Sequence, residues 1–381
     1  MDVLCAKCKG RGFCNKRCKW LDMRFKSFDF KKDFTGSSPS IFVGKANYPN
    51  VSIGLISLPF TSIDANNFDN PKFFSNNLSI NQVINKRSLL INCQSSNKNF
   101  CEKIKELALS KKAVEVEANL IKDPKPKTSF DFISTTMGPS SELKNFSINE
   151  NIKIDKNVAK CYYDTDLKAN SALNILYGKG VDENNLSKYL SAAAFGIKKN
   201  RKVVPTRWSI TAVDDALGKK MINDIKECPI INDYRILEGS LFGNYYTVIL
   251  LPFIYGFELF ETLNEKEIMH DYEEYDGRKE YAYNTAGGYY AARLAVNEYL
   301  SSNKIQARAI VFRKITPEYI APLGVWVVRQ ASRNAMNNPV NFDNFDELIK
   351  KVNNTWIAKK LLKESVLCKK FVSQKSLGQF L

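Results

Sequence analysis

Val204-Pro-Thr-Arg207-Trp208-Ser209-Ile-Thr211-Ala-Val-Asp214-Asp215 decides how the middle of this chain is read. Residues 203–211 are rich in β-branched and aromatic types beside a proline, which predicts a strand, and residues 213–227 predict a helix. A strand that turns into a helix puts both kinds of element in one core, so the fold class is α+β. The stretch is also chemically dense. In one reading the helix start presents backbone N–H groups to a phosphate, Arg207 clamps it, and Asp214 or Asp215 holds Mg²⁺ or Mn²⁺ together with Asp164 or Asp166. Asp214, Asp215 and Arg207 are then the catalytic candidates of a metal-dependent phosphodiesterase or nuclease. In the other reading Thr211 caps the helix, both acids complement its dipole, and Trp208 packs in the core.

Outward from this stretch, strands are expected over 41–43, 51–57, 245–251 and 309–312, bounded by Gly, Pro or Asn. Helices are expected over 100–122, 284–301 and 345–371, with Thr285 and Asn344 as caps. Asp123-Pro-Lys-Pro-Lys-Thr128 breaks a helical run and is either a boundary between two lobes or a surface loop. The expected organisation is a module over 1–30, a mixed helix/strand globular core over 31–370, in one domain or two lobes, and a tail over 371–381.

The chain has 381 residues, 44% hydrophobic and 25% charged, ordinary for a folded globular protein. No signal-like apolar segment opens it, and its most hydrophobic stretch, 245–257, is interrupted by Pro252 and Gly256 and too short to span a bilayer. The expectation is a cytoplasmic, nucleoid-associated protein without a membrane partner. Formal charge is +16, with ten Lys/Arg against four Asp over 1–33 and eight Lys against one Glu over 350–381. Such basic ends favour a polyanion, with affinity that falls steeply with salt.

Four of the nine cysteines, Cys5, Cys8, Cys14 and Cys18, follow a C-x₂-C-x₅-C-x₃-C spacing. The first pair suits the tight turn that aims two sulfurs at one ion, and Gly10 and Gly12 let the loop bring the second pair round, so a structural zinc is expected. With sulfur at all four positions no coordination site stays open for chemistry. Disulfides would need an oxidising compartment, and an iron–sulfur cluster is the remaining alternative. Cys93, Cys101, Cys161, Cys228 and Cys368 show no ligand spacing.

The chain closes on Gln374-Lys-Ser-Leu377-Gly-Gln-Phe380-Leu381. In a single 3₁₀ turn, residues three apart eclipse, so Leu377 and Phe380 share a side, Leu381 joins them, and Gln374 stands apart as a polar hook. This plug resembles the PCNA-interacting peptide by which replication and repair proteins attach to sliding clamps, and the clamp PCNA is the expected protein partner. Docking of these side chains on the parent domain is the alternative.

A second dense region runs from Tyr281-Ala-Tyr283 through Gly287-Gly288-Tyr289-Tyr290-Ala-Ala-Arg293, followed by Arg313, Pro322-Leu-Gly-Val-Trp326 and Arg329. Tyr and Arg can stack bases and bind phosphates, and they serve packing equally well. Arg207, Trp208, Tyr290, Arg293, Arg313 and Arg329 are the nucleic-acid-binding candidates.

Taken together, the four-cysteine module, Phe42-Val-Gly44 with Tyr48-Pro49, Gly138-Pro139-Ser140, the 204–215 string, the 287–293 string, Pro322 to Trp326 and the terminal peptide resemble the archaeal Nre family of DNA repair proteins. The resemblance implies a repair role coupled to the sliding clamp and leaves the reaction open. His270 is the only histidine, so any catalysis would lean on carboxylates and metal. The competing expectations are a clamp-recruited DNA-binding repair factor, with or without phosphodiesterase activity, and an RNA-binding or ribosome-associated zinc protein.

Overall fold

A computed structural model describes residues 29–125, 133, 138–263, 267–354 and 359–373. The four module cysteines and the tail residues Gln374, Leu377, Phe380 and Leu381 lie outside the described residues. What is described is a mixed α+β chain with two six-stranded sheets. It divides into two compact units, one holding the described residues up to Leu217 with Ile320–Gly324, the other Gly218–Tyr319 and the described residues from Val325 onward. The division at 217/218 differs from the expected boundary near 123–128, whose described residues lie inside the first unit.

The first unit is built on β1 (Asp33–Ser38), β2 (Ser40–Val43), β3 (Ile53–Ser57), β4 (Ile91–Ser95), β5 (Val114–Leu120) and β6 (Ser140–Ile148). Their order is β1-β5-β6-β4-β3-β2, antiparallel except between β4 and β6. The helices are α1 (Pro71–Asn77), α2 (Ile80–Ser88), α3 (Cys101–Leu109), α4 (Lys156–Tyr163), α5 (Ala169–Gly178), α6 (Glu183–Ser191) and the start of α7 (Thr206–Lys226). Their starts follow from capping chemistry. Asn70 accepts the Phe73 N–H with Pro71 in the first turn, and Ser79 with Gln82 closes a capping box on α2. The core sets Val43, Leu55 and Cys93 of the sheet against Ile104, Leu107 and Ala108 of α3.

The helix expected over 100–122 stops at Leu109 and gives way to β5. Val114, Val116, Ala118 and Leu120 are buried and Glu117 is exposed, the period-two pattern of a strand with one covered face. The strand expected over 203–211 is absent, because α7 already begins at Thr206. Thr211 therefore does not cap it, and Asp214 and Asp215 lie past its first turn. Gly138 of the Gly-Pro-Ser string has a packing reason: a Cβ there would stand 2.3 Å from the Leu90 carbonyl oxygen and 2.6 Å from that of Ser88.

The second unit contains β7 (Tyr234–Leu241), β8 (Asn244–Leu251), β9 (Gly256–Leu263), β10 (Glu267–Glu273), β11 (Arg308–Ile315) and β12 (Pro339–Phe342), ordered β10-β9-β11-β8-β7-β12. Only β9 and β11 run parallel. Alternation along the strands divides its work between two layers. Ile249, Leu251, Phe260, Ile310 and Phe312 face a helical layer of α10 (Phe345–Asn353), α11 (Lys359–Glu364) and α12 (Val366–Ser373). Phe257 and Glu261 of β9 face α8 (Gly287–Ser302), where the Phe257 and Tyr289 rings meet edge-on at 5.0 Å. The helix α9 (Trp326–Ala335) packs on β7 and β8.

Asn344 caps α10 as expected, accepting the Glu347 N–H at 3.0 Å. The long helix expected over 345–371 is three helices instead. Thr285 is not a cap: its hydroxyl and N–H both donate to Asp271 Oδ2 at 2.8 Å. At Gly239 a Cβ would lie 2.3 Å from the Ala335 backbone nitrogen, so α9 rests directly on the strand. Gly239→Ala is expected to cost about 1–3 kcal/mol of unfolding free energy, the range of core overpacking. Denaturant unfolding with an unchanged midpoint would refute that packing.

Candidate nucleic-acid interface

Helix α7 starts where it does because three neighbours hold its first turn. Pro205, whose fixed φ suits a helix entry, offers its carbonyl to the N–H groups of Trp208 and Ser209 at 2.8 and 3.0 Å. Thr206 Oγ1 accepts the Val43 N–H at 2.9 Å, which ties the turn to β2. Ser209 shares a buried 2.7 Å hydroxyl contact with Ser191 of α6. With these polar residues facing inward, Trp208 emerges on the surface, 44% exposed, and does not enter the core.

Trp208 has a partner there. Asn47 to Asn50 form a turn closed by the Asn50 N–H on the Asn47 carbonyl at 2.7 Å, with a cis Tyr48–Pro49 peptide. Tyr48 is 47% exposed, and its ring centroid lies 4.9 Å from that of Trp208 at 59°. Two neighbouring aromatic surfaces open to solvent form a platform on which unpaired bases can stack.

Behind Tyr48 lies a cleft of about 210 Å³ lined by Pro49, Val51, Ile53, Cys101 and Val203, with Ser96, Lys98 and Lys202 completing it. Lys202 ends the run Lys198-Lys199-Asn200-Arg201-Lys202. Arg201 pins this loop, donating to the carbonyls of Gly196, Tyr162 and Asp164 at 2.7, 2.7 and 2.8 Å. Its three lysines remain exposed. Burial, and then the charge of Glu102, pushes the Cys101 thiol above its ordinary pKa, so it lines the cleft as a thiol and not as a nucleophile. The surface is therefore aromatic and cationic, suited to stacking and phosphate contacts.

The catalytic candidates are placed differently from the sequence expectation. Asp214 is fully buried, while Asp215 and Arg207 are half-buried. Consecutive residues on a helix project about 100° apart, so Asp214 and Asp215 do not share a face. Asp164 uses Oδ1 to accept the N–H groups of Asp166 and Leu167 at 3.1 and 3.0 Å. Among the described residues, no three His, Cys, Asp or Glu side chains gather as a metal-binding group.

In the second unit Tyr290 is buried, and its hydroxyl accepts the Ala282 N–H at 3.0 Å. Arg293 Nη1 reaches Glu273 Oε2 at 2.9 Å with both side chains enclosed. Arg313 bonds Glu261 at 2.5 Å and Asn244 at 2.7 Å. Burial works against the Arg313 charge, but the field of Tyr246 and Glu261 holds its pKa above the ordinary arginine value. Arg329 is 2% exposed. None of these four side chains faces solvent, whereas Trp208 does.

The reading from sequence missed Tyr48 as a partner of Trp208, and it missed Lys98 and Lys202. The cluster of four cations in residues 198–202 was the available local signal.

Comparison with known proteins covers nearly the whole chain. Residues 13–269 match the family described as Archaeal Nre, N-terminal, and residues 273–380 match Archaeal Nre, C-terminal. The chain is 36% identical over 372 residues to DNA repair protein NreA of Archaeoglobus fulgidus, covering 92% of this chain and 93% of the relative. It is 35% identical over 327 residues to DNA repair protein NreA of Haloferax volcanii, covering 79% and 77% of the two chains. DNA repair protein NreB of Archaeoglobus fulgidus is 36% identical over 344 residues, covering 86% and 87%. No solved structure matches this chain.

Proposed function

Because the chain belongs to the archaeal Nre family, we propose that it acts in DNA repair, holding DNA against the Tyr48/Trp208 face and staying near the sliding clamp PCNA through residues 374–381. The observation that carries the DNA contact is the solvent-open aromatic pair, with the exposed Lys98 and Lys202 lining the cleft that Tyr48 borders. Aromatic faces take bases without regard to sequence, and lysines take phosphates with a strong salt dependence. A net charge of +16 supports a polyanionic ligand. Its site of action is the nucleoid, in the cytoplasm; among the described residues no helix is long and apolar enough to cross a membrane.

Trp208→Ala is expected to weaken binding of single-stranded DNA by about 1–3 kcal/mol, the worth of one stacked base, and to leave the salt slope unchanged. Replacing Lys198, Lys199 and Lys202 together by alanine should instead flatten that slope. Fluorescence-anisotropy titrations at several salt concentrations measure both. Wild-type affinity and slope in both proteins would remove this face from the DNA contact.

The module over 1–30 is proposed to fold around one zinc ion held by Cys5, Cys8, Cys14 and Cys18, the spacing being what supports it. Elemental analysis of purified protein is expected to find one zinc per chain, lost when Cys5 and Cys8 are both replaced by serine. Iron, or four oxidised thiols in protein purified without oxidant, would contradict it. The ion would organise a lysine- and arginine-rich knuckle and perform no chemistry, because four thiolates fill its coordination shell.

A further inference from the structure

We propose that the cleft behind Tyr48 receives a single unstacked nucleobase, so that this protein engages DNA at a nucleotide that has left the duplex. The inference deepens the proposal that this face binds DNA and rests on it. Size comes first. The cleft measures about 210 Å³. That is below the roughly 300–1,000 Å³ of pockets for drug-sized ligands. It suits one ring system and is too small for a base pair.

Lining comes second. Pro49, Val51, Ile53 and Val203 form apolar walls, and the Tyr48 ring closes one side while its neighbour Trp208 continues the aromatic surface outside. A base leaving the stack would exchange its neighbours for these walls, the usual way such bases are held. Apart from the two lysines, which suit phosphates, the polar lining is limited to Ser96, the Cys101 thiol and the Tyr48 hydroxyl, so the cleft would accept different bases.

Charge comes third and selects the occupant. Lys98 and Lys202 are both exposed and both line the cleft, and Lys45 is exposed near Tyr48 on the same turn-bearing segment. An apolar side chain from a protein partner would gain nothing from these cations, whereas a nucleotide carries its phosphates beside its base. Glu102, next to Cys101, is the acidic side chain closest in sequence to the lining and is exposed. A base inside an intact duplex cannot reach such a space, and taking it out costs least where pairing is already broken. The cleft would thus favour mismatched, damaged or single-stranded positions.

The test uses full-length protein and three duplexes of one sequence: fully paired, carrying a mismatched fluorescent adenine analogue, and carrying an abasic site opposite the same base. The expected result is about tenfold or greater preference for the mismatched analogue over the paired duplex, with a change in its emission on binding. Val203→Phe, which fills the cleft, should abolish that preference and the emission change. Lys98→Gln with Lys202→Gln, both at exposed positions, should reduce affinity for the mismatched duplex and flatten its salt slope. Equal affinity for paired and mismatched DNA with unchanged emission overturns the cleft proposal and leaves the DNA-binding reading standing. Failure to bind any of the three duplexes, or single strands, overturns both. Tight binding only where the abasic site stands also overturns the cleft as a base receptor.

Discussion

Replacing Arg293 by methionine is expected to lower the unfolding free energy by about 3–5 kcal/mol, the cost of breaking a buried ion pair by removing one partner. Arg293 is 1% exposed and Glu273 fully buried, and they meet at 2.9 Å. The carboxylate is also approached by the Tyr255 hydroxyl at 3.3 Å, which bonds Asn297 Oδ1 at 3.1 Å. Burial first, then the Glu273 charge, drives the Tyr255 pKa well above its ordinary value, so this hydroxyl remains a donor. Without the guanidinium, the enclosed Glu273 charge keeps the Tyr255 hydroxyl as the neutral donor shown among the described residues. Adding Glu273→Gln to Arg293→Met should recover part of the loss, because the stranded group is then neutral. Denaturant unfolding measures each protein, and an unchanged midpoint in Arg293→Met would contradict the enclosed pair.

Phe380→Ala is expected to weaken binding to the sliding clamp by about 2–4 kcal/mol, the range of a buried aromatic anchor, or roughly 30- to 1,000-fold. A single 3₁₀ turn would place Leu377 and Phe380 on one side, where both can enter an apolar pocket. The fold supplies an anchored start for this tether. Glu258 is fully buried and accepts the Val366 and Leu367 N–H groups at 2.8 and 3.1 Å together with the Ser365 hydroxyl. It thereby holds the start of α12, the helix that ends at Ser373, one residue before Gln374. A negative charge at that helix start also complements its dipole. Thermal unfolding should not change in Phe380→Ala, since a docking peptide contributes nothing to the parent core. Calorimetric titration against the clamp decides: wild-type affinity would exclude these residues as the contact, and a lowered melting temperature would favour docking on the parent domain.

How much of this was legible in the sequence depends on whether local pattern or distant neighbours decided each element. Strands β8 and β11 were legible because both lie inside the second sheet, covered on two faces, and so read as continuous apolar runs. The Asn344 cap was legible because its chemistry is confined to one turn. Strand β5 was legible in principle, since Val114-Glu-Val116-Glu-Ala118 alternates, but the preceding helical run obscured it. The start of α7 was not legible. Residues 203–211 favour a strand locally, and the hydrogen bonds of Thr206 to Val43 and of Ser209 to Ser191 override that preference. The same override turns Trp208 outward and brings it to Tyr48, two residues far apart in sequence whose meeting no local pattern announces. Tyr290, Arg293 and Arg313 illustrate the converse: residue types that suit nucleic acid equally suit buried polar networks, and only burial distinguishes the two uses.

Photo-crosslinking reports whether DNA lies on the Tyr48/Trp208 face. Single-stranded DNA carrying bromodeoxyuridine is bound to the full-length protein, irradiated, and the attached peptides identified by mass spectrometry. The predicted result is attachment to Trp208 or Tyr48, competed away by unlabelled DNA and lost at high salt. Attachment confined to residues beyond Gly218, with Trp208 and Tyr48 unmodified, would contradict it.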